Sequence, residues 1–225
     1  MVEPTRTWKA GEFIKSIWQK IADKFKSAPA GQVVQPCGKA ITPNPTRAAI
    51  PAFAKDANGN ILGNKVGEPF LTSHGGFVDP VTGQVTAYFA AQAYELRLAD
   101  GRKVTAMKSL GRYDPVAQQI VPDSRMDTDC HGLTFTNGEF WIDDPEVDKI
   151  LYHEYRVTSQ PQPGDILIYR DANGSVVHSV TVTQVGADGN VTEVSGLGGI
   201  QPAEHTSTPD AGWFDPNASK TYYTK

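Results

Sequence analysis

Cys130 and His178 are the pair of residues in this chain whose types and order could support nucleophilic catalysis. Cys130 precedes an apolar run, and His178 lies in a later strand-like run at 175–182. A thiol at a helix start, followed by an imidazole on a later strand, is the arrangement that a cysteine nucleophile and its base require. The pair therefore predicts a cysteine hydrolase. The alternative is a small buried thiol and a strand histidine satisfied by the backbone.

Two predicted helices flank the region in which Cys130 must be held. The first begins near Thr128 or Asp129, because either side chain can cap a helix start. The second begins near Asp143 and continues to about Tyr155, with Pro145 in its first turn, where proline is well tolerated.

Three successive strands are predicted to carry His178 and its neighbours. They are the runs 166–169, 175–182 and 191–195, separated by turn sequences at 171–174 and 187–190. Connections this short join antiparallel neighbours. The imidazole should therefore lie on the middle strand of a small antiparallel sheet.

The N-terminal half is predicted to be a helix followed by a β-rich region. From Lys9 to Lys26, apolar residues recur at three- and four-residue spacing, as in an amphipathic helix. We expect this helix to pack on the protein's own core, with a membrane surface or a carrier protein as the alternative partner. Residues 31–110 are rich in hairpin turn signals. The turn sequence at 56–59 recurs at 171–174, but the rest of a calcium-loop pattern is missing, which favours simple turns.

Composition describes an ordinary globular protein rather than an extreme class. The chain has 225 residues, 39% of them hydrophobic and 20% charged, with a formal net charge of -4, which gives no electrostatic reason to expect nucleic acid as a partner. Its two cysteines, Cys37 and Cys130, do not form a dense disulfide framework, although a bridge between them is an open alternative. No metal-binding cluster is evident.

Neither a cleaved secretion signal nor a membrane span is predicted. The first residues lack a basic segment leading into an apolar core and a small-residue cleavage site. No apolar run reaches the roughly 18 residues that a transmembrane helix needs. We therefore expect synthesis in the cytoplasm without a signal peptide, and export by other machinery if the protein acts elsewhere.

Residues 122–205 resemble the NlpC-like branch of the papain-like cysteine peptidases, bacterial enzymes that cut peptide amide bonds in peptidoglycan. Those enzymes carry an Asp-Cys-Ser-Gly-aliphatic motif at a helix start, which Asp129–Leu133 matches except at His131. They also carry a Pro-Gly-Asp sequence before an apolar strand, matched by Pro163–Leu167, and a histidine on the next strand, matched by His178.

The resemblance implies a role for each matched position. Cys130 would be the nucleophile, His178 the general base and then the acid, and a polar residue on the following strand would orient the imidazole. Glu193 is nearest that third position, with Asn190 and Ser195 as alternatives, and a surface glutamate without a role is the competing interpretation.

Two further residues next to these motifs are given roles. The backbone N–H of Cys130 is the expected oxyanion donor, and His131 would add a second donor, shape substrate access or have no catalytic part. Asp165 is expected to hold the turn that leads into its strand.

The resemblance also implies a fold and a setting. The expected fold is α+β, a papain-like core in which the helix bearing the nucleophile packs on an antiparallel sheet. The expected divisions are an amphipathic helix at 1–28, a β-rich region at 29–110 and a catalytic core at 111–225.

The predicted function is hydrolysis of peptidoglycan peptide amides without a cofactor. The protein would act as an antibacterial effector, exported by a type VI secretion apparatus into the periplasm of a target cell. Its partners would be a cognate immunity protein and a secretion carrier. The alternatives are a papain-like acyltransferase or protease acting on proteins, and an inert binding or adaptor module.

Overall fold

The computed structural model of the protein describes residues 53–72, 88–98, 100–114, 119–121, 128–197, 204–210 and 217–225. The predicted helix at Lys9–Lys26 and Cys37 both lie outside these residues. The division at 1–28 lies outside them as well.

The first sheet has four antiparallel strands in chain order. They are β1 (Gly63–Thr72), β2 (Tyr88–Arg97), β3 (Lys103–Asp114) and β4 (Gln119–Val121). Between β2 and β3 the N–H of Gly101 donates to the carbonyl oxygen of Leu98 at 2.9 Å, and Gly101 adopts the positive φ of +86° that such a tight turn requires.

The second sheet has six antiparallel strands in the order β5-β10-β6-β7-β8-β9. Their bounds are β5 (Arg156–Val157), β6 (Ile166–Arg170), β7 (Val176–Val185), β8 (Val191–Gly196), β9 (His205–Ser207) and β10 (Ser219–Thr224). The three successive strands predicted from the sequence are β6, β7 and β8, and their antiparallel pairing is confirmed.

The two repeated turn sequences are turns, as predicted. Asp56 Oδ1 accepts hydrogen bonds from the backbone N–H groups of Asn58 and Asn60, at 2.8 and 3.0 Å. Asp171 Oδ1 accepts from Asn173 and Ser175 in the same way, at 2.9 and 2.8 Å. Each aspartate thus closes its own loop by local hydrogen bonding.

Two helices are present in the described part of the chain, α1 (Cys130–Thr136) and α2 (Asp144–Glu154). The predicted cap of α1 is confirmed, because Asp129 Oδ1 accepts from the N–H of Gly132 at 2.5 Å. Helix α2 begins where predicted, with proline in its first turn. Helix α1 contacts β7 and β8, whereas α2 contacts β3 and β7.

One hydrophobic core joins the two sheets and the two helices. Leu96 and Val104 come from the first sheet, Phe135 from α1, Ile150 from α2 and Ile168 from the second sheet, and all five are buried in the same cluster. The predicted division at residue 110 falls inside β3. Side chains from both sides of that division therefore share a core.

The predicted α+β, papain-like fold class is wrong. The described residues are 53% strand and 14% helix, in two antiparallel sheets, and are more β-rich than a papain-like core. The motifs used for that prediction report the local structure around Cys130. They carry no information on the long strands of the first sheet or on the strands β5, β9 and β10 that enlarge the second.

No helix among the described residues is long and apolar enough to cross a membrane.

The close approach of α1 to the segment after it can be tested at Gly132. A Cβ at this position would overlap the carbonyl oxygen of Phe140 and the hydroxyl of Thr128, and the carbonyl oxygen cannot move without displacing backbone. We expect Gly132→Ala to lower the free energy of unfolding by at least about 3 kcal/mol, measured by urea denaturation.

Gly174→Ala is the matched control. This turn glycine has a φ of +82° and open space where a Cβ would lie, so only backbone strain of about 1–2 kcal/mol is expected. Equal losses for the two variants would contradict the close packing of α1.

Candidate active site

Cys130 is the first residue of α1 and is partly exposed, with a free thiol. Its position follows from the local sequence, because the Asp129 cap starts the helix one residue before the cysteine. The carbonyl oxygen of Cys130 accepts a hydrogen bond from Ser179 Oγ on β7, at 3.4 Å. This contact places the start of α1 against the middle of the second sheet.

His131 is almost completely buried, with 1% of its surface exposed, and three elements meet at its ring. The Nδ1 atom lies 2.8 Å from Ser179 Oγ on β7. The Nε2 atom lies 3.0 Å from Asp144 Oδ1 at the start of α2. Both ring nitrogens therefore have oxygen partners. We call the group formed by Cys130, His131, Asp144 and Ser179 the Cys130 site.

The charges around His131 favour its protonated form. Burial lowers the pKa of the ring, because a charge is less well solvated in the interior. The negative charge of Cys130, the hydrogen bond to Asp144, a hydrogen bond to Cys130 and the charge of Asp129 all raise it. Together they outweigh burial and hold the pKa of His131 well above its ordinary value. The ring therefore takes up a proton more readily than a free imidazole does.

His178 faces away from Cys130, across the second sheet. It pairs with Tyr169 on β6, whereas Ser179 pairs with Ile168, and cross-strand partners share a face. The rings of His178 and Tyr169 lie 5.6 Å apart on one face, and Ser179 meets α1 on the other. The structure thus does not bring together the two residues that the sequence paired as nucleophile and base.

A β-bulge accounts for this placement. The register of β6 and β7 shifts between Tyr169 and Arg170, because Arg170 pairs with Val176 and leaves Val177 unmatched. His178 and Ser179 follow directly, on opposite faces of the strand. A slip of one residue decides which of them meets Cys130.

The three candidates for the orienting residue have other partners. Glu193 Oε1 accepts from the hydroxyl of Thr183 at 2.7 Å, and Asn190 bonds to Asp188 in the turn before β8. Ser195 is buried and donates to Glu204. Their hydrogen bonds serve β7, β8 and the segment that follows.

Asp165 has the structural role that the sequence predicted. Its carboxylate accepts from the backbone N–H of Gln162 at 2.8 Å and is largely buried. This bond closes the turn that leads into β6.

Asp144 and Ser179 are the members of the Cys130 site that sequence reasoning missed. The sequence indicates Asp144 only as part of a helix start, and Ser179 only as a neighbour of His178. A signal existed for Asp144, since a carboxylate in a first helical turn near a cysteine-histidine pair can orient the imidazole. For Ser179 the alternation of the strand was informative, but the bulge was not visible in the sequence.

Within the described residues, no group of three His, Cys, Asp or Glu side chains is placed to hold a metal ion.

Protein-family models, curated proteins and solved structures gave no match to this chain. The chemistry of the Cys130 site therefore has to be inferred from its own geometry and from the short motifs around it.

The influence of Asp144 on His131 can be measured directly. We expect Asp144→Asn to lower the pKa of His131, because the neutral amide no longer stabilises the charged ring. The measurement is NMR titration of the His131 ring protons. Asp148→Asn is the matched control, since Asp148 lies one turn further along α2 and pairs with Arg170. A shift of the same size in both variants would contradict a specific contact.

The raised pKa also predicts how stability depends on pH. A group whose pKa is higher in the folded than in the unfolded state stabilises the fold fully below its unfolded value of 6.5. That contribution is lost as the pH rises through the folded value. We expect the stability difference between the wild type and Asp144→Asn to be larger near about pH 6 than in alkaline solution, measured by urea denaturation. A difference that grows with pH would contradict this sign.

Proposed function

We propose that this protein is a cysteine hydrolase that cleaves peptide amide bonds, with Cys130 as its nucleophile. One observation carries the proposal: a partly exposed thiol interacts with a buried imidazole that Asp144 and Ser179 hold from two sides. A nucleophile, a proton-handling ring and a carboxylate that orients the ring are the components of thiol-dependent amide hydrolysis.

In this proposal His131 takes the role that the sequence assigned to His178. The proton of the Cys130 thiol passes to the imidazole, and the thiolate attacks the carbonyl carbon of the amide. The carbon–nitrogen bond then breaks, the imidazolium returns the proton to the leaving nitrogen, and a thioester remains. Water attacks the thioester carbonyl as His131 accepts one of its protons. The carbon–sulfur bond then breaks, which releases the acid, and the imidazolium returns the proton to the thiolate of Cys130.

Asp144 supports this chemistry by fixing one end of the ring. Its carboxylate can only accept a hydrogen bond, so the Nε2 atom keeps its proton. Its negative charge also stabilises the imidazolium that accompanies the thiolate. The pairing of thiolate with imidazolium favours both charged groups together.

Peptidoglycan is the proposed substrate class, on the strength of the motif resemblance. The motif at Asp129–Leu133 contributes the nucleophile, and the motif at Pro163–Leu167 leads into the strand beside β7. Peptidoglycan lies in the periplasm, so the proposed place of action is the periplasm of a target cell. Delivery by a type VI secretion apparatus, with an immunity protein in the producing strain, follows from that setting.

The chemistry and the substrate are tested together by mass spectrometry of peptidoglycan fragments after incubation with the purified full-length protein. We expect the wild type to release cleaved peptides and Cys130→Ala to release none above background. His131→Gln should reduce the initial rate by at least about 100-fold, because proton transfer to and from the ring is lost.

His178→Gln is the matched control for His131→Gln, since both remove a buried imidazole from the same half of the protein. We expect this variant to retain most of its activity, provided that its thermal melt resembles that of the wild type. Loss of activity in His178→Gln alone would assign the base to His178 and overturn the role of His131.

Two other outcomes would assign a different function to the protein. Cleavage or acylation of proteins without release of peptidoglycan fragments would make the protein a protease or an acyltransferase. A Cys130 thiol that reacts with iodoacetamide no faster than free cysteine, together with no hydrolysis of any peptide, would indicate an inert binding module.

The place of action is tested by targeted expression in bacteria. We expect a form directed to the periplasm by an added secretion signal to cause lysis, and the cytoplasmic form to be tolerated, because only the first reaches peptidoglycan. The periplasmic Cys130→Ala variant is the control for toxicity of export itself. Equal growth of the two wild-type forms would contradict a periplasmic target.

A further inference from the structure

Ser179 places a buried hydroxyl group between two polar atoms of the Cys130 site. Its side chain is completely buried on β7, and its Oγ lies 2.8 Å from His131 Nδ1 and 3.4 Å from the carbonyl oxygen of Cys130. A serine hydroxyl carries one hydrogen and also accepts hydrogen bonds. It can therefore donate to either of these two atoms, but not to both at once.

The two directions of this hydroxyl correspond to the two protonation states of His131. When the ring is charged, Nδ1–H donates to Ser179, and the serine hydrogen turns to the Cys130 carbonyl. When the ring is neutral, Nδ1 is an acceptor, and the serine hydrogen turns to it. The ring keeps a hydrogen bond at Nδ1 in both states, which matters because an unsatisfied buried polar atom is costly.

Proton exchange on His131 must take place at Nδ1. The partner of Nε2 is the Asp144 carboxylate, which can only accept, so loss of the Nε2 proton would leave two acceptors facing each other. Nδ1 is therefore the atom that gains and loses a proton, and Ser179 is the residue that faces it.

We propose that Ser179 is a positioning residue that lets the buried His131 ring change its protonation state by rotation of one hydroxyl group. The inference rests on the proposed function, in which His131 exchanges a proton during each turnover. A carboxylate in place of Ser179 would hold the ring in its charged form, and an aliphatic side chain would leave Nδ1 without a partner. The hydroxyl is suited to both states.

The other charged groups around the ring would not provide this switch. Cys130 and Asp129 come from α1 and its cap, and Asp144 comes from α2; each raises the pKa of His131. Strand β7 contributes the neutral hydroxyl of Ser179 on this face, while His178 lies on the other. The charges thus favour the protonated ring, whereas the neutral hydroxyl of Ser179 can bond to the ring in either protonation state.

The experiment compares Ser179→Thr with Ser179→Val, two side chains of nearly the same shape that differ in the hydroxyl. NMR titration of the His131 ring and the pH dependence of Cys130 alkylation by iodoacetamide are measured, neither of which needs a substrate. We expect Thr to preserve both profiles.

We expect Ser179→Val to move the midpoint of the His131 titration to lower pH and to slow alkylation of Cys130 near neutral pH by about tenfold. The reason is that removal of the hydroxyl takes more hydrogen-bond stabilisation from the charged ring than from the neutral one. Thr181→Ala is the control, since Thr181 is buried on the same strand and face. Identical profiles for Thr and Val at position 179 would overturn the proposal.

A second measurement uses the unmodified protein, so the test does not depend on whether a variant folds. Nitrogen-15 NMR of the His131 ring in alkaline solution should show the tautomer with hydrogen on Nε2 and an accepting Nδ1. The opposite tautomer would overturn the proposal. These results are independent of the peptidoglycan assay. If Cys130→Ala released peptidoglycan fragments as fast as the wild type, the proposed function would fail, while the titrations would still decide the role of Ser179.

Discussion

The arrangement of the Cys130 site depends on two hydrogen bonds that the carboxylate of Asp129 accepts. It accepts from the N–H of Gly132 at 2.5 Å, which starts α1, and from the N–H of Ile142 at 3.3 Å, which fixes the chain before α2. One side chain thus sets the positions of both Cys130 and Asp144. Glycine at 132 is part of the same constraint, because the two segments approach too closely for any larger residue.

This junction is also hydrogen-bonded to the first sheet, so that sheet bears on the Cys130 site although none of the four residues of the site lies in it. Trp141 exchanges two backbone hydrogen bonds with Met107 on β3, at 2.8 and 3.0 Å. The segment that carries Asp144 into α2 therefore runs beside β3. The first sheet thus holds the backbone that precedes Asp144 in place, and side chains on supported backbone are better preorganised than those on free loops.

The sequence predicted the helix cap and the turns correctly, but not the face on which His178 lies or the pairing of strands in the first sheet. The Asp129 cap, the two Asp-Ala-Asn-Gly turns and the role of Asp165 follow from side chains that bond to backbone a few residues away. The face of the second sheet on which His178 lies depends on a one-residue bulge at Val177. Neither residue next to Val177 is a glycine or a proline, so the sequence gives no sign of the bulge. The prediction of the fold class was wrong for a related reason, because a short motif carries little information about strand pairing in the first sheet.

Buried hydroxyl groups lie on the face of β7 that meets α1. Away from α1, Leu167, Val180 and Val194 form an apolar cluster with Tyr169. On the α1 side, Ser179 and Thr181 are equally buried but carry hydroxyl groups. A helix that only packs on a sheet is most stable over aliphatic side chains, because burying polar groups has a desolvation cost.

In this protein, polar side chains are nevertheless buried where α1 carries the thiol of Cys130 and the imidazole of His131. Thr134, one turn after Cys130, is also buried, and its hydroxyl has no hydrogen-bond partner among the described residues. A charged imidazole in this interface needs nearby dipoles and negative charge, and the hydroxyl of Ser179 and the carboxylate of Asp144 supply both. The polar groups of this helix–sheet interface thus accommodate the buried ring of His131.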